Sequence, residues 1–225
     1  METFIKRPHN WRTDSLPRTT CKALELLSQQ AWLKKSRWYL AGGTGLALQA
    51  GHRTSVVLDF FTVQSKFNNS ALLAKFDKKT WVTKTNEEST IYGELLGAKV
   101  SFIAYSFFKP ALPFLYFGNV KILQAQDIAV MKVIAISQRG KKRDFFDLYW
   151  CCKNVQPLEK TILSLKTQYP MVAHDFHHIL KSLTYFTDAQ KDPLPKILFK
   201  ANWPQIKKFF QKEVSAITKK IIELN

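Results

Sequence analysis

Apolar positions along the chain follow two periods, and the change from one to the other divides it. Leu24, Leu27 and Ala31 recur at helical spacing behind Ser15-Leu16-Pro17, which predicts a helix running to about Lys35. From residue 38 to 105, short apolar runs alternate with turns. Residues 38–41 and 56–61 predict two strands, with a short helix over 44–49 between them. Gly51 ends that helix, because glycine accepts the left-handed conformation of a helix C-terminus. Residues 70–76 predict another short helix, with Ser70 as its N-cap. Residues 80–85, 90–95 and 98–105 predict further strands, and Gly93 and Gly97 mark bends among them. Residues 107–117 hold two prolines among aromatics and read as a packed connector.

Beyond the connector the period is helical. IAVMKVIAIS predicts a buried helix capped by Gln126-Asp127, and Gly140 supplies a turn before a second helix. Residues 158–168 and 174–186 predict two more, and Pro193 and Pro195 break the pattern. A last helix opens at Asn202-Trp203-Pro204 with Ile206, Phe209, Phe210, Val214, Ile217 and Ile221 in one stripe. The expected fold is α+β. A mixed sheet with flanking helices occupies residues 1–118, behind an arm over 1–10, and a C-terminal helical bundle occupies 119–225.

Composition narrows the class. At 225 residues the chain can bury a sizeable core, and a hydrophobic share of 46% marks it as globular. Three cysteines with no CxxC make neither a disulfide framework nor a zinc site, which fits a reducing cytoplasm. No apolar run is long enough to span a membrane. The net charge of +17 calls for a polyanionic partner such as nucleic acid.

Candidate chemistry begins at LAGGTGLALQAGHRTSVVLDFF, residues 40–61. A Gly42-Gly43 turn opening a helix lets backbone amides approach an anion, and Thr44 adds a hydroxyl. Most such turns are only turns. Asp59 changes the picture, since a carboxylate in an apolar strand is costly unless paired or metal-bound. Lys132 sits in mid-helix among apolar residues, so it snorkels outward or meets a permanent negative partner, for which a triphosphate qualifies. Arg139, Lys141, Lys142 and Arg143 crowd one loop as a candidate phosphate clamp. Asp144 and Asp147 share a face of the next helix. They either pair with the basic loop at the helix start, or Asp147 faces the site.

These blocks resemble the AbiEii/AbiGii toxin family of nucleotidyltransferases. Gly42-Gly43-Thr44, Leu46-Ala47-Leu48, Gly51-His52-Arg53, Ser55 and Leu58-Asp59-Phe60-Phe61 match its first block. Lys99–Phe102 (KVSF) is close to a family strand, and Lys132, Arg139, Arg143, Asp144, Asp147, Leu148 and Tyr149 match a later block. The resemblance covers roughly residues 38–150. It implies transfer of a nucleoside monophosphate from an NTP to an RNA acceptor such as a tRNA 3′ end, with Mg²⁺ as cofactor. It also implies a toxin of a toxin–antitoxin or phage-defence system with a cognate antitoxin. By that resemblance Gly42, Gly43, Thr44, Arg53, Ser55 and Lys132 bind the nucleotide, and Asp59 holds the metal. Asp59, Lys132 and Asp147 are catalytic, and Arg139, Arg143 and Asp144 support them.

One departure matters. The family's first aspartate of its metal pair falls on Val57, which shares a strand face with Asp59. An apolar side chain cannot ligate Mg²⁺. No aspartate stands on a later strand to compensate, and Glu94 is the nearest acid. The expectation is therefore an impaired transferase, against the alternative of a noncatalytic nucleotide- or RNA-binding protein.

Overall fold

The computed structural model describes residues 10–223. The expected arm over residues 1–10 lies outside them but for Asn10. Helices α1 (Arg18–Ser28) and α2 (Ala31–Lys35) stand where one helix was expected. Gln30 takes an extended conformation between them and breaks it. Strand β1 (Tyr39–Leu40) then leads into α3 (Gly42–Ala50), which Gly51 ends in the left-handed conformation at φ 60°. Strand β2 (Val57–Thr62) follows. Helix α4 (Asn69–Leu73) is capped by Asn68, whose side chain accepts from the Ala71 amide, rather than by Ser70. Strands β3 (Trp81–Glu87), β4 (Thr90–Leu95) and β5 (Ala98–Ala104) come next.

Two strands escape the sequence pattern. The end of the aromatic connector forms β6 (Leu115–Phe117), which turns at Gly118 into β7 (Val120–Ile122). Three residues each are too few for an alternating signal. Their pairing is sound nonetheless, because β7 runs parallel to β1 as well as antiparallel to β6. The expected division at 118/119 falls inside this hairpin, so the sheet itself bridges the two expected halves.

The seven strands lie in the order β3-β4-β5-β2-β1-β7-β6. The β2–β5 and β1–β7 pairs are parallel and the rest antiparallel, which makes the sheet mixed as expected. Along β2 the side chains alternate. Leu58 and Phe60 are fully buried under α1 and α2 in one core cluster. Val57, Asp59 and Phe61 face the other way and are only half-buried.

Opposite that second face lies the helical half. It comprises α5 (Ala125–Arg139), α6 (Lys142–Asn154), α7 (Leu158–Leu163), α8 (Leu165–Gln168), α9 (Phe176–Ser182), α10 (Thr187–Lys191) and α11 (Trp203–Glu223). Trp203 anchors the last helix, with its ring 5.6 Å from Phe145, 6.0 Å from Phe146 and 5.6 Å from Phe186. Ile206, Phe210, Val214 and Ile217 are buried as the stripe requires, and the side chain of Ile221 lies outside the described ones. The expected Gln126-Asp127 cap is corrected. Gln124 is the N-cap residue, and buried Asp127 instead accepts from the Ala111 and Leu112 amides and from Gln168, pinning the aromatic connector to the bundle. Among the described residues, no helix is long and apolar enough to cross a membrane.

The β6–β7 turn supplies a test of the fold. Gly118 has φ 57°, and a Cβ there would lie 2.6 Å from the Ser28 carbonyl oxygen. Gly97 has φ 79° but open space around it. Gly97→Ala should cost about 1–2 kcal/mol for the left-handed backbone alone. Gly118→Ala should cost clearly more in urea denaturation, because a backbone oxygen must also move. Equal costs would contradict the close approach of the hairpin to α1.

Candidate functional site

The centre of the helical half is ionic. Asp147, on α6, is wholly buried. It accepts from Arg53 Nε at 2.5 Å and Arg53 Nη2 at 2.8 Å, lies 2.7 Å from His52 Nε2, and pairs with Lys132 Nζ at 2.6 Å. One turn earlier Asp144, equally buried, takes the other side of Lys132 at 2.6 Å and the Arg139 guanidinium at 3.0 Å. Burial alone would raise both carboxyls. The Arg53 and Lys132 charges override it at Asp147 and hold that group well below the usual range. Lys132 and Arg139 do the same, less strongly, at Asp144. Burial lowers His52 and outweighs Asp147, so the imidazole is neutral and donates from Nε2, leaving Nδ1 without a hydrogen-bond partner.

This cluster ties distant segments together. Residues 52–54 pair with the chain just beyond Pro193-Leu194-Pro195: the Thr54 amide donates to the Lys196 carbonyl and the Leu198 amide donates to the His52 carbonyl. Arg53 also explains the second glycine of the turn, since a Cβ at Gly43 would collide with its Nη2. Gly42 is needed for its φ of 62°, and its Cβ would stand 3.1 Å from Asp59 Oδ2. The glycine turn is thus pressed between Arg53 and Asp59.

Over that turn opens a cleft of about 650 Å³ between the β2 face and α5. Gly42, Gly43, Arg53, Ser55, Val57, Asp59, Lys132, Arg139 and Arg143 all line it. Arg143 is exposed and has no ion-pair partner among the described residues. Asp59 lies opposite Ser101 of β5, whose hydroxyl donates to its Oδ1 at 2.7 Å. The strand neighbour at which a further acid would flank Asp59 is therefore a serine.

Four placements differ from expectation. Thr44 is buried and outside the cleft, with its hydroxyl spent on Ser55 and the Val57 carbonyl. The permanent negative partners of Lys132 are Asp144 and Asp147 rather than a ligand. Those aspartates pair with the α5 lysine and the His52-Arg53 segment more than with the basic loop. Their exposure is nil, so neither presents an oxygen to the cleft. Lys142 leaves the clamp to donate to the Gln190 and Asp192 carbonyls. Glu94 points toward Lys84, 3.8 Å away, and is not a cleft residue. Sequence reasoning missed His52 and the strand-like pairing of the segment around Ile197. The histidine was legible only as part of Gly51-His52-Arg53, with no role attached.

Comparison with known proteins bears on the family and the fold. Residues 105–219 match the family model described as nucleotidyl transferase AbiEii toxin, type IV TA system. An uncharacterised protein of Aquifex aeolicus is 35% identical over 188 residues, covering 79% of this chain and 86% of that one. Two solved structures share the fold. A candidate nucleotidyltransferase from H. pylori has TM-score 0.52 at 17% identity, over 93% of this chain and 99% of that one. MenT4, a nucleotidyltransferase toxin of Mycobacterium tuberculosis, has TM-score 0.50 at 14% identity, over 90% and 86%.

Two outcomes test the ionic cluster. Asp147→Asn leaves Arg53 and Lys132 buried without full compensation, and should destabilise the fold by about 3–5 kcal/mol in urea denaturation. The pH profile has a defined sign. With the folded pKa of His52 lowered, the unfolded chain takes up that proton first as pH falls below about 6.5. Stability is full above that value and lost below it. Asp147 acts the same way lower down, its contribution being full above about pH 3.9 and lost as pH falls through its lowered value. His52→Gln keeps a donor to Asp147 and should remove the first stage of acid loss. An unchanged profile between about pH 7 and 5 would contradict a neutral buried His52.

Proposed function

The chain belongs to the AbiEii nucleotidyltransferase toxin family, and on that premise we propose that it binds a nucleoside triphosphate in the cleft above β2 and is built to pass the nucleoside monophosphate to RNA, tRNA included, with transfer impaired by Val57. The observation that carries this reading is the approach of Asp59 Oδ2 to the Gly42-Gly43 turn, which sets a carboxylate beside the start of helix α3 inside the cleft. Those amides, Ser55 and the unpaired Arg143 hold the phosphates. Arg53, Lys132 and Arg139 against Asp144 and Asp147 leave one net positive charge beneath them, which supports an anionic ligand. Lys132 and Asp147 act as positioning residues, keeping Arg53 over Gly43.

The donor set decides what metal chemistry is open. Magnesium wants oxygen ligands in octahedral geometry and is commonly held by one or two carboxylates plus substrate phosphates. Asp59 offers one carboxylate and Val57 none. The described residues contain no group of three or more His, Cys, Asp or Glu able to hold a metal. That set fits a Mg²⁺ ion that would arrive with the triphosphate and be held on the protein side by Asp59. Bound so, the ion would neutralise phosphate charge. The chain's residues meanwhile fix the triphosphate against the turn and exclude water between α5 and the sheet.

The net charge of +17 supports an RNA acceptor, since phosphate contacts dominate nonspecific affinity. The family description supports a cognate antitoxin in a toxin–antitoxin system, and three free cysteines fit a reducing cytoplasmic setting. Val57 favours a second reading, a noncatalytic nucleotide- or RNA-binding protein on the same fold.

Incorporation of α-labelled NTPs into total tRNA with Mg²⁺ separates the two. Val57→Asp should label RNA at least about tenfold faster than the unaltered chain, a barrier change of roughly 1.4 kcal/mol. Adding Asp59→Asn to it should abolish labelling. Equal rates for the unaltered chain and the Val57→Asp variant would refute the impairment. No label from either, with nucleotide still bound, would refute transfer to tRNA and favour the noncatalytic reading.

A further inference from the structure

The cleft has two chemically different ends. Asp59 stands between them. Toward Val57 lie the glycine turn and the cations. Phe61 is the next same-face residue in the other direction, about 6.6 Å further along the strand. Ile103 is its cross-strand partner, and Tyr105 meets it edge-on with ring centroids 5.8 Å apart. The Tyr105 hydroxyl lies 3.2 Å from that of Tyr169, which fixes its ring.

The facing wall is split in the same way. Lys132 and Arg139 form one stripe of α5, above the phosphate end. Met131, Ala135 and Gln138 form the adjacent stripe, at i, i+4 and i+7, and line the same cleft, with Gln138 also sharing a neighbouring pocket with Tyr105. Phe61, Ile103, Tyr105, Met131 and Ala135 are all left half-buried on facing walls, whereas other large apolar groups of α5 are closed into the core. Gln138 is exposed at the rim, and its amide has no hydrogen-bond partner among the described residues.

Resting on the nucleotide-binding reading of the cleft, we propose that this aromatic end is a nucleobase subsite and that Gln138 reads the edge of the base. A flat ring entering between the walls would desolvate apolar surface on both of its faces. It would sit one strand step from Asp59, which leaves a sugar's width between base and phosphates. A carboxamide presents a donor and an acceptor side by side, and so matches the paired donor and acceptor on a base edge.

Competition binding on the full chain tests this with inorganic tripolyphosphate and each of the four NTPs as probes. At least one NTP should bind about tenfold or more tighter than tripolyphosphate, the advantage expected of a stacked base. Ala135→Trp should fill the slot and abolish that advantage while leaving tripolyphosphate binding unchanged. Gln138→Ala, at an exposed position, should shrink the spread among the four NTPs to about twofold or less, again with tripolyphosphate unchanged. Tripolyphosphate binding as tightly as every NTP would overturn the subsite and leave the phosphate end standing. Binding of neither would overturn both. An unaltered NTP ranking in Gln138→Ala would remove Gln138 as the reader.

Discussion

The carboxylate of Asp147 has no contact with solvent, yet it is met by Arg53, His52 and Lys132, and Lys132 is shared with Asp144 one turn away. Burying such charges is expensive, and the cost is offset only while every partner stays in place. The partners come from separate parts of the chain. Arg53 and His52 belong to the segment between α3 and β2, Lys132 to α5, and both aspartates to α6. The cluster therefore fixes how the helical half sits on the sheet. It also shapes the cleft, because the guanidinium held by Asp147 is the one that lies over Gly43. The glycine turn, the orientation of α5 and the route of the segment around Ile197 all follow from satisfying two buried acids.

Much of this was legible in the residues. The strands β2, β4 and β5 carry alternating or continuous apolar runs, and the end of α3 is written in Gly51. The elements that were missed lack such signals. The three-residue strands β6 and β7 are defined by partners far away in sequence. The break between α1 and α2 lies at Gln29-Gln30, ordinary helix formers whose conformation is set by tertiary packing. At the site, spacing identified the charged residues but not their pairing. Lys132 in an apolar helix announced a buried negative partner, and nothing local said that Asp144 and Asp147 would supply it. Thr44 read as a phosphate ligand because it follows two glycines. Its hydroxyl is instead consumed by Ser55 and the β2 backbone, a choice made by strand placement.

On the proposed reading, the family scaffold is retained while its metal chemistry is reduced. With Val57 beside Asp59 and Ser101 across from it, the cleft presents a single carboxylate amid cations and backbone amides. Such a site favours a triphosphate more than a free metal ion. Asp144 and Asp147 are poor substitutes, since releasing either to ligate a metal would strand Lys132 or Arg53 in the interior. The proposed division of labour is thus between an ionic core that shapes the cleft and a sparse set of cleft groups that would contact the ligand.

A crystal structure with a non-hydrolysable nucleoside triphosphate and Mn²⁺, read by the anomalous signal of the metal, confronts this division directly. The expected result is triphosphate on the Gly42-Gly43 turn and metal shared between the phosphates and Asp59, with Asp144 and Asp147 still bound to Lys132. Metal ligated by Asp144 or Asp147, with Lys132 displaced, would contradict it.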